Sequence, residues 1–339
     1  MVVDDSAVVR GLISRQISAE PGFEVVCTAV NGEQAIRELG RRAIDLVVLD
    51  VEMPVMDGLT ALQLMLAQQP GLRVVMVSTV TRRNAEISLK ALQLGASDYV
   101  PKPEGGIAGA EEFRRELSAK LNALVVRRAP RPAAAATPPL QPRSMRMAPL
   151  VLAIGASTGG PPALTQVFEA LKGGSQQPIL LTQHMPATFT ALLAEQLGRA
   201  IGRPCAEAKD NEPIEAGRCY VAPGGWHMVV ARDGARPVIR LNQEPPENFC
   251  RPAVDPMLRS AAQVYGAGVL AVILTGMGAD GAVGCEAVAR AGGRFVVQDE
   301  ATSVVWGMPG AAAATGLAQE VLPLPKIGPW LRMALEKGL

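Results

Sequence analysis

One stretch divides the chain. From Arg127 to Pro149 an alanine run is interrupted by Pro130, Pro132, Pro138, Pro139 and Pro142, and it carries five arginines and no acid. Proline removes backbone donors, and so little apolar area cannot hold a core, so residues 126–149 are expected to form an interdomain linker with solvated arginines. The chain has 339 residues, and single cores seldom grow beyond ~250–300 residues, so two domains are expected, at 1–125 and 150–339.

Both flanks read as α/β. Upstream, short β-branched runs at Val2-Val3, Phe23 to Thr28, Leu46 to Asp50, Arg73 to Ser78 and Asp98 to Val100 read as strands. Amphipathic stretches around Val8 to Ala19, Gly32 to Arg41, Leu59 to Gln68, Asn84 to Leu94 and Glu111 to Leu124 read as the intervening helices. Strands that are apolar throughout are those covered on both faces, and five successive βα units predict a doubly wound, flavodoxin-like parallel sheet of order 2-1-3-4-5. Only Val2 and Val3 precede the first acids, so the first strand is expected to be truncated. Downstream, Val151 to Ala156, Ile179 to Gln183, Val269 to Thr275 and Arg294 to Gln298 predict a second doubly wound sheet. A hairpin insertion is expected from Arg218 to Val221 and Met228 to Ala231, joined by Pro223-Gly224-Gly225.

In the first domain Asp4 and Asp5 close the first strand and Asp50 closes the third, its neighbour in that order. Clustered carboxylates repel unless a hard cation joins them, and Mg²⁺ suits such a set. With that charge offset, Asp50 can attack a phosphoryl donor and become an acyl phosphate. Ser78 at the end of the fourth strand offers a hydroxyl to the phosphoryl group, and Lys102 at the end of the fifth offers an ammonium. The Lys102-Pro103 bond is a candidate cis peptide that would aim the lysine inward. A lone aspartate at a strand end is an ordinary helix cap and a lone Lys-Pro an ordinary turn, but capping does not explain the whole set at the ends of the right strands.

The segments Val3-Asp4-Asp5-Ser6, Leu49 to Gly58 and Tyr99-Val100-Pro101-Lys102-Pro103 resemble the response-regulator receiver family. The resemblance covers residues 2 to about 124. It implies Asp50 as phosphoacceptor, Mg²⁺ held by Asp4, Asp5, Asp50 and the Glu52 carbonyl, and Tyr99 as a switch aromatic beside Ser78 and Lys102.

In the second domain Gly155-Ala156-Ser157-Thr158-Gly159-Gly160 follows an apolar strand and precedes a helix opened by Pro161-Pro162. Its first five residues fit G-x-S-x-G, a turn that presents a serine hydroxyl among helix N-terminal N–H groups. Glycine-rich turns also cradle phosphates, but neither G-x-G-x-x-G nor a following Gly-Lys-Ser/Thr is present. A base is needed, and the chain has two histidines. His184 ends the next strand, on the same sheet edge as Ser157, and is favoured over His227 in the hairpin. Asp280, in the glycine-rich loop after Val272 to Thr275, could orient the imidazole or cap the helix from Ala282. The order serine, histidine, aspartate differs from that of α/β-hydrolases.

Segments Ile154 to Pro161, Thr182 to Pro186, Tyr220 to His227, Arg251 to Asp255, Leu274 to Gly281 and Val304 to Pro309 resemble the chemotaxis receptor methylesterase family (CheB type). That resemblance implies a serine hydrolase that removes methyl esters from receptor glutamates and deamidates receptor glutamines. Ser157 would be nucleophile, His184 base and Asp280 orienter, with Thr158 and Met277 at the oxyanion and no cofactor in this half. It further implies methyl-accepting chemoreceptors as substrates, a chemotaxis histidine kinase as phosphodonor, and a resting receiver that covers the active-site edge until phosphorylated. The rival reading is a response regulator whose second domain only binds a protein partner.

Composition excludes other classes. The net charge is +1 and aromatics make up 4%, so neither a basic field nor a stacking surface points to nucleic acid. No apolar run approaches the ~18 residues that span a bilayer, and the start turns acidic at Asp4-Asp5, so the chain is read as cytoplasmic and not inserted in a membrane. The five cysteines are scattered without a CxxC pair and are expected to be reduced.

Overall fold

The computed structural model describes residues 1–79, 81–103, 106–125 and 148–337. The expected linker, 126–149, lies outside the described residues apart from its last two. The chain divides into two compact units, Met1–Arg127 and Arg128–Leu339.

The first unit holds strands β1 (Val2–Val3), β2 (Thr28–Ala29), β3 (Leu46–Asp50), β4 (Arg73–Ser78) and β5 (Asp98–Pro101). Its helices are α1 (Ala7–Ala19), α2 (Gly32–Leu39), α3 (Gly58–Gln68), α4 (Arg82–Gln93) and α5 (Gly106–Val125). All strand pairs are parallel, in the order β2-β1-β3-β4-β5. Four helices start where a short polar side chain accepts an orphan N–H: Ser6 from Val9, Asn31 from Gln34, Asp57 from Thr60 and Thr81 from Asn84. The strand expected from Phe23 shrinks to Thr28–Ala29. Its partner β1 has two residues, pairing Val2 with Thr28 and Val3 with Ala29, so nothing remains for an edge strand to bond.

The second unit holds β6 (Val151–Ala156), β7 (Ile179–Gln183), β8 (Cys205–Glu207), β9 (Cys219–Val221), β10 (His227–Asp233), β11 (Arg236–Asn242), β12 (Val269–Ile273), β13 (Arg294–Gln298) and β14 (Glu320–Leu322). Its helices are α6 (Gly160–Ala170), α7 (Ala187–Ile201), α8 (Val254–Tyr265), α9 (Ala282–Arg290), α10 (Met308–Ala314) and α11 (Leu324–Lys337). Seven strands form a parallel sheet of order β14-β13-β12-β6-β7-β9-β8. Every residue of β6 and β12 is buried, as strands covered on both faces require. The strand order runs on in opposite directions on the two sides of β6, and the carboxyl end of such a strand is where open α/β sheets place their sites.

The expected hairpin forms one strand later than the sequence reading had it. Cys219–Val221 is fully buried and joins the parallel sheet between β7 and β8, while β10 pairs antiparallel with β11. Pro223-Gly224-Gly225 therefore does not join paired strands. Gly224 lets the backbone press on the start of α7, where a Cβ would lie 2.1 Å from Ala187 N.

Candidate active site and phosphoacceptor pocket

In the first unit the acidic residues at the strand ends stand close together. One carboxylate oxygen from each of Asp4, Asp5 and Asp50 lies within 4.8 Å of the others. Lys102 Nζ stands 2.9 Å from Asp4 and 2.9 Å from Asp50. Burial pushes the Asp50 carboxyl up to about 6, Asp4 adds to that, and Lys102 and the Val51 N–H work against it. Burial opposes the lysine's charge, yet Asp50 and Asp4 hold Lys102 above its ordinary range. Three carboxylates against one ammonium leave an excess of negative charge on oxygen donors, which fits a hard divalent cation.

The loop after β3 owes its path to Gly58, where a Cβ would lie 2.0 Å from the Asp50 carbonyl oxygen. Ser78 is buried with its hydroxyl 3.1 Å from that of Ser88, and its carbonyl accepts the Lys102 N–H at 2.7 Å. Glu52 does not turn its carboxylate to the acidic cluster; Asn84 donates to it at 3.3 Å. Tyr99 is packed inward, with Lys120 4.9 Å from its ring centre and donating to its carbonyl at 2.7 Å. The Lys102–Pro103 cis peptide is not formed; the cis bond among the described residues is Arg251–Pro252.

In the second unit Ser157 leaves the end of β6 and His184 the end of the adjacent β7. Ala156 pairs with Gln183, and His184 N donates to the Ala156 carbonyl at 3.2 Å, so Ser157 and His184 leave neighbouring strand ends, but among the described residues no hydrogen bond joins their side chains. The turn at Ser157 depends on missing side chains. Gly159 is left-handed, with φ 77°, and a Cβ on Gly160 would lie 2.0 Å from Gln183 Oε1. On the other side Ser157 N donates to the Thr275 carbonyl, and a Cβ on Gly276 would lie 2.8 Å from that of Ser157. Thr158 is buried, its carbonyl accepting from the Thr275 hydroxyl, and Met277 is half-buried in the loop after β12.

Asp280 meets His184 Nε2 at 2.7 Å and is 1% exposed. It also accepts from Val254 N at 2.6 Å and Asp255 N at 3.0 Å, at the N-terminus of α8. Burial would raise its pKa, but His184 and these N–H groups outweigh burial and lower it. The capping role that the sequence left open for Asp280 at α9 falls to Asp255, which accepts from Gly281 N at 3.0 Å and Gly284 N at 2.6 Å. Each aspartate thus caps a helix on the other's segment. Burial and the neighbouring Asp280 push Asp255 up to about 6. The sequence reading gave Asp255 no role, although it closes the quoted Arg251 to Asp255 segment.

The other histidine has a structural position. His227 is 1% exposed, with Nδ1 accepting from Ala253 N at 3.2 Å and Nε2 3.2 Å from the Pro245 carbonyl. Both ring nitrogens are held by backbone groups, whereas Nδ1 of His184 meets a side-chain thiol, Cys250 Sγ at 3.3 Å. For His184, burial opposes the charged ring, but Cys250 and Asp280 more than reverse this and push it up to about 10. Both neighbours thus favour the protonated ring against burial.

A family profile described as CheB methylesterase matches residues 152–331, and one described as response regulator receiver domain matches residues 1–108. The chain is 53% identical over 359 residues to protein-glutamate methylesterase/protein-glutamine glutaminase 1 of Paramagnetospirillum magneticum, covering 98% of this chain and 94% of that one. It is 51% identical to the group 2 operon protein-glutamate methylesterase/protein-glutamine glutaminase of Rhodospirillum centenum, covering 98% and 92%. Among solved structures, the Thermotoga maritima CheB methylesterase catalytic domain aligns with a TM-score of 0.53 at 38% identity, covering 55% of this chain and 98% of that one. Among the described residues no helix is long and apolar enough to cross a membrane.

Proposed function

This chain belongs to the CheB methylesterase family and carries a response regulator receiver domain, and from that premise we propose that Ser157, His184 and Asp280 perform its ester hydrolysis. The protein is a phosphorylation-regulated protein-glutamate methylesterase and protein-glutamine glutaminase of chemotaxis. The observation that carries the residue assignment is the 2.7 Å pair of His184 Nε2 and Asp280, one strand from a serine on a glycine-lined turn.

With Nε2 facing Asp280, the nitrogen left for the serine is Nδ1. Once free of its proton, Nδ1 takes the proton of Ser157, whose oxygen attacks the γ-carbonyl of a methylated glutamate. The oxyanion forms beside the turn that follows Ser157, with Thr158 and Met277 next to it. The imidazolium returns its proton to the departing methanol, and water attacks the acyl-enzyme by the same route. On a glutamine the leaving group is ammonia and the product the same glutamate. No metal is required by these steps.

In the receiver Asp50 is the phosphoacceptor, with Lys102 and Ser78 positioned for the phosphoryl oxygens and Tyr99 as the switch aromatic. Asp4, Asp5, Asp50 and the Glu52 carbonyl would hold Mg²⁺, which offsets carboxylate and phosphoryl charge when bound. The phosphodonor is a chemotaxis histidine kinase, and the substrates are methyl-accepting chemoreceptors. A fluorophosphonate that reacts with activated serines tests the assignment. Labelling should map to Ser157 and vanish in His184→Gln. A chain that stays unlabelled would favour a second domain that only binds a partner.

A further inference from the structure

Both nitrogens of the His184 ring already have partners in the resting site. Nε2 meets Asp280 at 2.7 Å, and Nδ1 meets Cys250 Sγ at 3.3 Å. Nδ1 is the nitrogen that the ester chemistry assigns to Ser157, yet a thiol stands on it.

The position of that thiol is built into the fold. Glu247 and Cys250 exchange backbone hydrogen bonds at 3.1 and 2.9 Å, closing a tight turn. Its two central residues, Asn248 and Phe249, are both left-handed, with φ of 50° and 63°. Left-handed backbone is unfavourable for non-glycine residues, and Phe249, 87% exposed, recovers little by packing. The turn is clamped at its first two residues. Arg259 grips Glu247 with two contacts of 2.8 and 2.6 Å, and Asn248 Nδ2 donates to Asp255 at 3.2 Å and to Asp280 at 3.3 Å. The carboxylate that orients one side of the ring thus helps fix the residue on its other side.

We propose that Cys250 is a positioning residue of the esterase, whose thiol holds Nδ1 of His184 in the resting site and yields it to Ser157 when substrate enters. This rests on the assignment of Ser157 and His184 above. Sulfur is a weak hydrogen-bonding partner, so it restrains the ring yet exchanges readily for a hydroxyl. Among the described residues the charged groups at the ring are Asp280 on Nε2, with Asp255, Arg259 and Glu247 behind it. Among them Cys250 and Asp280 favour the protonated imidazole. Removing the sulfur therefore releases the base at lower pH.

The test compares full-length wild type with Cys250→Ala and Cys250→Ser by methanol release across pH. The acidic limb of kcat/KM should move down by ~1 pH unit in Cys250→Ala. A purely structural loss would lower the whole profile without moving the limb. N-Ethylmaleimide provides a measurement that needs no variant. The thiol adds across its double bond, the sulfur–carbon bond forming as the thiol proton passes to the adjacent carbon. Activity of the wild type should fall more than tenfold in step with labelling of Cys250, while Cys250→Ala keeps its untreated rate. A limb that stays in place or moves up, or full activity with Cys250 fully labelled, overturns the proposal. Full activity in Ser157→Ala would instead overturn the assignment beneath it.

Discussion

At the scale of single residues, the two sites handle buried charge in opposite ways. Asp280 is stabilised as an anion by four donors, His184 Nε2, Val254 N, Asp255 N and Asn248 Nδ2. An amide there turns a donor toward donors, so Asp280→Asn should lower kcat by about 10³–10⁴. Steady-state methanol release measures this, and an unchanged kcat would remove Asp280 from the mechanism. Asp50 has less support: Lys102 and the Val51 N–H favour its charge, but burial and Asp4 outweigh them and its pKa is raised to about 6. A folded pKa above the unfolded value of 3.8 means that the folded state binds more protons between those values, so stability falls as pH rises through that window. Without divalent cation, Asp50→Asn should therefore stabilise the receiver at pH 7.5 by about 1–2 kcal/mol, with the gain gone below pH 4. Thermal denaturation at the two pH values decides this, and an equal gain at both would contradict it.

At the scale of elements, the reciprocal caps tie the catalytic loop to the fold. Asp255→Ala frees the N–H groups of Gly281 and Gly284 at the start of α9, next to Asp280. It should cost about 2 kcal/mol in denaturant unfolding and lower kcat as well. Stability lost with kcat intact would separate the cap from the chemistry. Local pattern made much of this legible in the sequence. Leu46–Asp50, Arg73–Ser78, Val151–Ala156, Ile179–Gln183 and Arg294–Gln298 end where their apolar runs end, because parallel strands covered on both faces have no polar positions to blur the boundary. Ser157, His184 and Asp280 stand at such strand ends or in the loop just beyond, which is why they could be read. Pairing was less legible: Pro223-Gly224-Gly225 looks like a hairpin turn, but its glycine serves a backbone approach to Ala187 from far along the chain. Asp255 and Cys250 escaped notice for the same reason, since their partners lie 25 to 66 residues away.

At the scale of the whole molecule, the proposed function joins two chemistries that share no atoms: acyl phosphate formation at Asp50 and ester hydrolysis at Ser157. A phosphodonor can raise esterase rate only by changing the population of the active form, so its effect should disappear when Asp50 cannot accept the group. The most direct measurement is methanol release from methylated receptor membranes by the full chain, with and without acetyl phosphate and Mg²⁺. The wild type should release methanol faster with the donor. Asp50→Asn should keep a basal rate that does not respond, and Ser157→Ala should release none while Asp50 still takes up phosphate. Methanol release by Ser157→Ala at the wild-type rate would contradict the central claim.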